Sequence, residues 1–216
     1  MIPRASEELI MKHLFRNKTV VIYGARQVGK TTLVNEIIRK LNMKTLVLNG
    51  DFADIRELFT DLTPSKIKPV IADNRLVVID EAQRIHEPGL CIKIIHDNFS
   101  DIQLIVTGSS SLELLGKIKE PMTGRKFEFY LYPLSFGELS AYHGFLEEKR
   151  MLEHRLLFGS YPDVIMNPGN ETIIVRTLVS DYLYKDVLSF GQIKKPVLLE
   201  KLLRALALQV GNEVSY

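Results

Sequence analysis

The strongest constraint on this chain is the octapeptide Gly24-Ala25-Arg26-Gln27-Val28-Gly29-Lys30-Thr31, which fits the pattern G-x-x-x-x-G-K-[ST]. It follows an apolar, β-branched run at 19–23 and opens a segment of helical period at 30–41. Glycines let such a loop turn its backbone N–H groups inward, and the helix start adds positive potential for a polyphosphate. Gly24, Ala25, Arg26, Gln27, Val28, Gly29, Lys30, Thr31 and Thr32 are therefore the expected nucleotide cradle. Within it, Lys30 would bridge the β- and γ-phosphates, and the Thr31 hydroxyl would ligate Mg²⁺. A chance Gly-rich turn is the competing reading. With Gly at about 7% of residues, a random match is on the order of one in a hundred. The strand–loop–helix setting lowers that further.

Short apolar runs alternate with longer amphipathic segments along the first part of the chain. The runs at 19–23, 45–48, 76–80, 104–107 and 127–131 read as strands, and 30–41, 55–62, 89–99 and 110–118 read as helices. That rhythm predicts a parallel sheet covered by helices on both faces. After Tyr132 the pattern turns helical, near 135–143, 151–158, 173–188 and 197–209. The expected division is a nucleotide-binding core over 1–133 and a helical region over 134–216.

Fifty residues after Lys30, four apolar residues end in a carboxylate pair, Leu76-Val77-Val78-Ile79-Asp80-Glu81. A buried central strand ending in charge places that charge at the ligand-binding edge of a parallel sheet. Asp80 can hold Mg²⁺ through its water shell, and Glu81 can orient and deprotonate an attacking water. Alone, Asp-Glu would read as an acidic cap or solvated turn; with the phosphate loop it does not. The pair separates hydrolases with their own base from GTPases and nucleotide kinases. No Asn-Lys-x-Asp guanine reader follows either, since Asn17-Lys18 precedes the first strand.

Two further candidates are less constrained. Gly108-Ser109-Ser110-Ser111 follows the fourth run, where Ser109 or Ser110 either touches the γ-phosphate or attacking water, or caps the next helix. Arg125, before the fifth run, is either a surface residue or an arginine aimed at the γ-phosphate of a neighbouring subunit.

Composition narrows the rest. Lys plus Arg number 28 and Asp plus Glu 26, so a polybasic coat is excluded, though a local basic groove is not. A single cysteine, Cys91, excludes an intramolecular disulfide, a Cys-rich zinc module and an iron–sulfur cluster held by this chain alone. Cys91 lies among Ile92, Ile94 and Ile95 and is expected to pack in the core. The five histidines show no zinc-ligand spacing. Glu147-Glu148-Lys149-Arg150 reads as a solvated helix face, and Lys194-Lys195-Pro196 as a loop entering a helix. Apolar runs are too short to span a bilayer, and Arg4, Glu7 and Glu8 interrupt any signal-peptide core. A cytoplasmic location is expected.

These residues resemble the prokaryotic AAA-superfamily ATPases that join a P-loop domain to a C-terminal helical and winged-helix region. The resemblance rests on the loop through Leu33, on Leu76 to Gln83, and on Thr107-Gly108-Ser109-Ser110. More particular are Gly124-Arg125, Pro133-Leu134-Ser135-Phe136-Gly137-Glu138, Gly159-Ser160-Tyr161-Pro162 and Tyr182-Leu183-Tyr184-Lys185-Asp186. It implies a five-stranded P-loop core of order 5-1-4-3-2, ATP as ligand, and working as a homo-oligomer. Mg²⁺-dependent ATP hydrolysis coupled to a conformational change is the leading expectation. A slow ATP-gated switch or DNA-binding regulator is the alternative. A helicase-like motor fits less well, because the region after the core is short and helical. The last residues resemble the first helix and turn of a truncated winged-helix module, so any DNA or protein target is expected to engage a missing C-terminal region.

Overall fold

The computed structural model describes residues 2–109, 118, 121–180 and 196–209. Five parallel strands form one sheet: β1 (Thr19–Gly24), β2 (Thr45–Asn49), β3 (Leu76–Asp80), β4 (Gln103–Gly108) and β5 (Lys126–Leu131). Their order, β2-β3-β4-β1-β5, is the expected 5-1-4-3-2 read from the other edge. The fold is that of a P-loop NTPase.

The three central strands are buried along their whole length. Successive side chains point to opposite faces, so each strand feeds two cores. Val20, Ile22, Leu76, Val78 and Ile105 pack with α1 (Ala5–His13) and α2 (Lys30–Leu41), through Ile10, Leu33, Val34 and Ile37, and with Leu14 just after α1. Val21, Tyr23, Val77, Ile79, Leu104 and Val106 enter the opposite core. There they meet α4 (Pro64–Ile71) and α5 (Pro88–Asn98), and α3 (Ala53–Leu58) lies at its margin.

Two of these helices were not expected from the sequence. Residues 5–13 carry a weak amphipathic pattern, yet α1 buries Ile10 completely. The expected helix over 55–62 ends at Leu58, and α4 begins beyond it. Thr63 caps α4 by accepting the Lys66 N–H at 3.3 Å, and Pro64 follows in the first turn. That Thr-Pro pair is the local helix-start signal. Of the helix expected at 110–118, only Ile118 lies within the described residues.

After β5 come α6 (Phe136–His143), α7 (Phe145–Arg150), α8 (Leu152–Phe158) and α9 (Pro162–Met166). The boundary expected near 133 falls inside the first of two compact units, Met1–Met166 and Asn167–Tyr216. The reason is packing: Leu134, Leu139 and Ile165 share an apolar cluster with Ile2. Arg4 adds a bond to the Tyr132 carbonyl and an ion pair to Glu138, at 3.2 Å. The second unit contains α10 (Glu171–Leu178) and α11 (Pro196–Ala207). The expected helix 173–188 is described only to residue 180, and 182–186 lies outside the described residues.

The charge run on α7 is not uniformly solvated. Glu148 is 1% exposed and sits between His143, at 2.6 Å, and the Arg155 guanidinium, at 2.9 Å. The hydrogen-bonded Arg155, opposed by burial and aided by His143, holds the Glu148 carboxyl below its ordinary value. A carboxylate depressed in this way stabilises the fold above its ordinary range and loses that contribution as pH falls through the lower folded value. Glu148→Gln should destabilise the first unit at neutral pH by about 3 kcal/mol, since it leaves Arg155 without its charge partner. Urea denaturation should show the gap between variant and wild type closing as the solution is acidified.

Candidate nucleotide site

The loop joining β1 to α2 lies at the C-terminal edge of the sheet, between β4 and β5. Its two motif glycines are required for different reasons. Gly29 stands at φ 97°, in the left-handed region that side chains rarely adopt. Gly24 is needed for close approach instead, because a Cβ there would come within 2.5 Å of the Leu131 carbonyl oxygen. Between them Gln27 holds a left-handed φ of 59° without being glycine, a strain of the kind that collects at binding loops.

Lys30 opens α2 and is buried, its ammonium donating to the Gly24 and Ala25 carbonyls at 3.0 Å each. The neighbouring Thr31 donates its hydroxyl to Asp80 Oδ2 at 2.9 Å. That bond joins the start of α2 to the tip of β3, although β4 separates β3 from β1 in the sheet. Asp80 also accepts from the Thr107 hydroxyl at the end of β4. In turn, the Glu81 N–H donates to Thr107 Oγ1 at 3.2 Å. One hydroxyl therefore ties both acidic residues to the intervening strand. In the sequence Thr107 stands only as part of the Thr107-Gly108-Ser109-Ser110 block, and as a β-branched strand residue it carries no local sign of the bonds it makes to Asp80 and Glu81.

A cavity of about 530 Å³ opens here, with Gln27, Lys30, Thr31, Glu81 and Asp163 among its walls. Glu81, at φ 54°, leads into a single 3₁₀ turn, Ala82–Arg84. Gln83 in that turn donates to the Glu81 carboxylate and accepts the Ser109 N–H at 3.1 Å. Ser109 is thus buried beside the acidic pair. Ser110 lies outside the described residues. A second, more apolar cavity of about 240 Å³ lies beside the loop, walled by Ile2, Arg4, Val28, Leu33, Leu134 and Met166. Arg4 donates to the Val28 carbonyl at 3.1 Å and so fixes one wall to the phosphate loop. Neither Arg4 nor the 162–166 helix was singled out for this site from sequence.

Arg125 does not join the others. Its carbonyl accepts from the Thr19 N–H at the start of β1, whereas the phosphate loop follows the end of that strand. A six-residue strand spans about 20 Å. Its guanidinium pairs with Asp97 at 3.0 Å, and both side chains are partly exposed. Cys91 is buried with its thiol near the Phe59 and His86 carbonyls, and burial pushes its pKa up to about 11. Among the described residues, no group of three or more His, Cys, Asp or Glu side chains is arranged to hold a metal ion. No helix among them is long and apolar enough to cross a membrane.

The sequence model of the AAA_14 family, an AAA domain, matches residues 16–140. The chain belongs to that family. A domain of unknown function, DUF8612, matches residues 149–216 of this AAA-domain protein. An uncharacterized protein of Methanocaldococcus jannaschii, MJ1544, is 27% identical over 221 residues, covering 94% of this chain and 49% of that protein. An uncharacterized protein of Haemophilus influenzae is 24% identical over 216 residues, covering 90% of this chain and 52% of its own length. The chain spans about half the length of these curated relatives. Among solved structures, Aeropyrum pernix ORC1 in complex with DNA shares 14% identity at a TM-score of 0.49, over 68% of this chain and 50% of that one. Bacteroides Pif1 bound to single-stranded DNA shares 14% at 0.41, over 63% and 43%.

The Thr107 hydroxyl is the testable joint of this site. Thr107→Val keeps the shape but removes a donor from Asp80 and the acceptor of the Glu81 N–H. The expected loss of stability is about 1–3 kcal/mol, read from urea denaturation. An unchanged midpoint would show that water replaces both bonds.

Proposed function

We propose that this AAA domain binds ATP with Mg²⁺ and hydrolyses it to ADP and phosphate. The observation that carries this reading is the Thr31–Asp80 hydrogen bond. It sets a buried strand-tip carboxylate directly behind a phosphate-loop hydroxyl that lines the same cavity as Lys30 and Glu81. Hydroxyl and carboxylate are hard oxygen donors of the kind Mg²⁺ takes. They are the residues that would hold it, and the ion when bound neutralises charge on the β- and γ-oxygens.

The loop from Gly24 to Thr32 would present backbone N–H groups and the Lys30 ammonium to the phosphates. The purine base would occupy the apolar cavity between Ile2, Val28 and Met166. Glu81 would take a proton from a water attacking the γ-phosphorus in line, as the bond to the β-phosphate oxygen breaks. Ser109, next to Glu81, would meet the γ-phosphate side of the site.

Lys30→Ala should abolish ATP binding, since the cavity loses its loop cation; affinity within a few-fold of wild type would overturn the assignment. Glu81→Gln should keep ATP affinity and slow hydrolysis by roughly 10²–10⁴-fold, measured by phosphate release. Asp80→Ala should weaken Mg²⁺-dependent binding as well, so the two acidic variants should differ.

Arg125 would act only toward a neighbouring copy, because its own phosphate loop is at the opposite end of the strands. Its ion pair with Asp97 is exposed enough to exchange at small cost. In a homo-oligomer, Arg125→Ala should lower turnover while leaving ATP binding intact. Mixing Arg125→Ala with Glu81→Gln protein should restore part of the activity, since some interfaces then pair an intact base with an intact arginine. Activity that neither depends on protein concentration nor recovers on mixing would leave Arg125 a surface residue.

A further inference from the structure

Glu81 is held more closely than an acidic residue at a strand end requires. Its φ of 54° is unfavourable for a side chain with a Cβ, so its neighbours must over-determine it. Three do so through the backbone. The Glu81 N–H is on Thr107 Oγ1, and its carbonyl accepts the Arg84 N–H at 2.9 Å. Gly50 packs so close that a Cβ there would meet the Glu81 carbonyl oxygen at 2.6 Å.

The side chain has a different anchor. Gln83 lies two residues on, and Ala82 between them is fully buried, so the turn cannot swing outward. The Gln83 Nε2 donates to Glu81 Oε2, and the Gln83 Oε1 accepts the Ser109 N–H. The two partners have opposite polarity. An ionised carboxylate only accepts and a backbone N–H only donates, so an amide satisfies both in a single orientation. Asparagine would be one methylene short, and glutamate would set a second negative charge against the first.

We propose that Gln83 is a positioning residue that fixes the Glu81 carboxylate for reaction, with the Ser109 N–H just beyond β4 as its anchor. This rests on the reading of Glu81 as the base in ATP hydrolysis. One carboxylate oxygen is engaged by Gln83, which orients the other for the proton of the attacking water. Because Gln83 spans from β3 to β4, the base is registered to the strand tip proposed to face the γ-phosphate. Small misplacements of a reacting group cost up to about 10²-fold in rate.

The test is steady-state ATP hydrolysis by the 216-residue chain as wild type, Gln83→Ala, Gln83→Glu, Glu81→Gln and the Gln83→Ala/Glu81→Gln double variant. Melting temperature and ATP affinity are measured alongside. Gln83→Ala should lower kcat about 10- to 100-fold, with KM and ATP affinity within about twofold. Gln83→Glu keeps an acceptor for the Ser109 N–H but loses the donor to Glu81, and should fall as far. In the Glu81→Gln background, Gln83→Ala should cost nothing further, because it acts through the group already removed.

A Gln83→Ala kcat within twofold of wild type would overturn the proposal. So would an undiminished loss in the Glu81→Gln background, or a parallel loss of ATP affinity and melting temperature, which mark a structural role. A wild type without ATPase activity that depends on Lys30 and Glu81 would instead overturn the functional reading, and this proposal with it.

Discussion

The Asp80 carboxylate is the group on which the arrangement of this site depends. It accepts from Thr31 at the start of α2 and from Thr107 at the end of β4, and its backbone carbonyl accepts the Gly50 N–H beyond β2 at 2.9 Å. Three segments that meet nowhere in sequence are thus tied to one residue at the C-terminal edge of the sheet. A carboxylate only 5% exposed is costly to bury unless hydroxyls and N–H groups satisfy it. That requirement draws the phosphate loop and the strand tips into register.

A second tie runs around the other side of the loop. Glu138 accepts the Ala5 and Ser135 N–H groups at 2.8 Å each and pairs with Arg4, which also holds the Val28 carbonyl. Burial raises the Glu138 carboxyl, but these N–H donors and the Arg4 charge outweigh it and hold it below its ordinary value. The same Glu138 completes a capping box with Ser135 at the start of α6. The Pro-Leu-Ser-Phe-x-Glu block therefore has a physical task. It caps a helix and, through Arg4, fastens the chain's beginning to the wall of the phosphate loop. The apolar cavity beside the loop exists because that fastening brings Ile2, Leu134 and Met166 together.

Sequence alone determined the parallel sheet, its strand positions, the phosphate loop and the acidic pair. Each is written in local period or in a short contiguous motif: four buried apolar residues before Asp80, eight residues from Gly24 to Thr31. The first unit's extent, the hydrogen-bond partners of Thr107, Gln83 and Arg4, and the burial of Glu148 were decided only by tertiary structure. Thr107 looks like a strand residue until β4 is placed between β1 and β3. Glu148 looks solvated until Arg155 folds back against it. Arg125 follows the Ser109 segment in the sequence, yet in space it lies at the N-terminal end of the strands, away from the phosphate loop at their C-terminal end. Parallel strands carry the chain back across the sheet between every pair, so which end a residue occupies is settled by where its strand begins. Local patterns report what each segment can form; a polar side chain's partner is fixed only when distant segments are packed and every buried donor and acceptor must be satisfied.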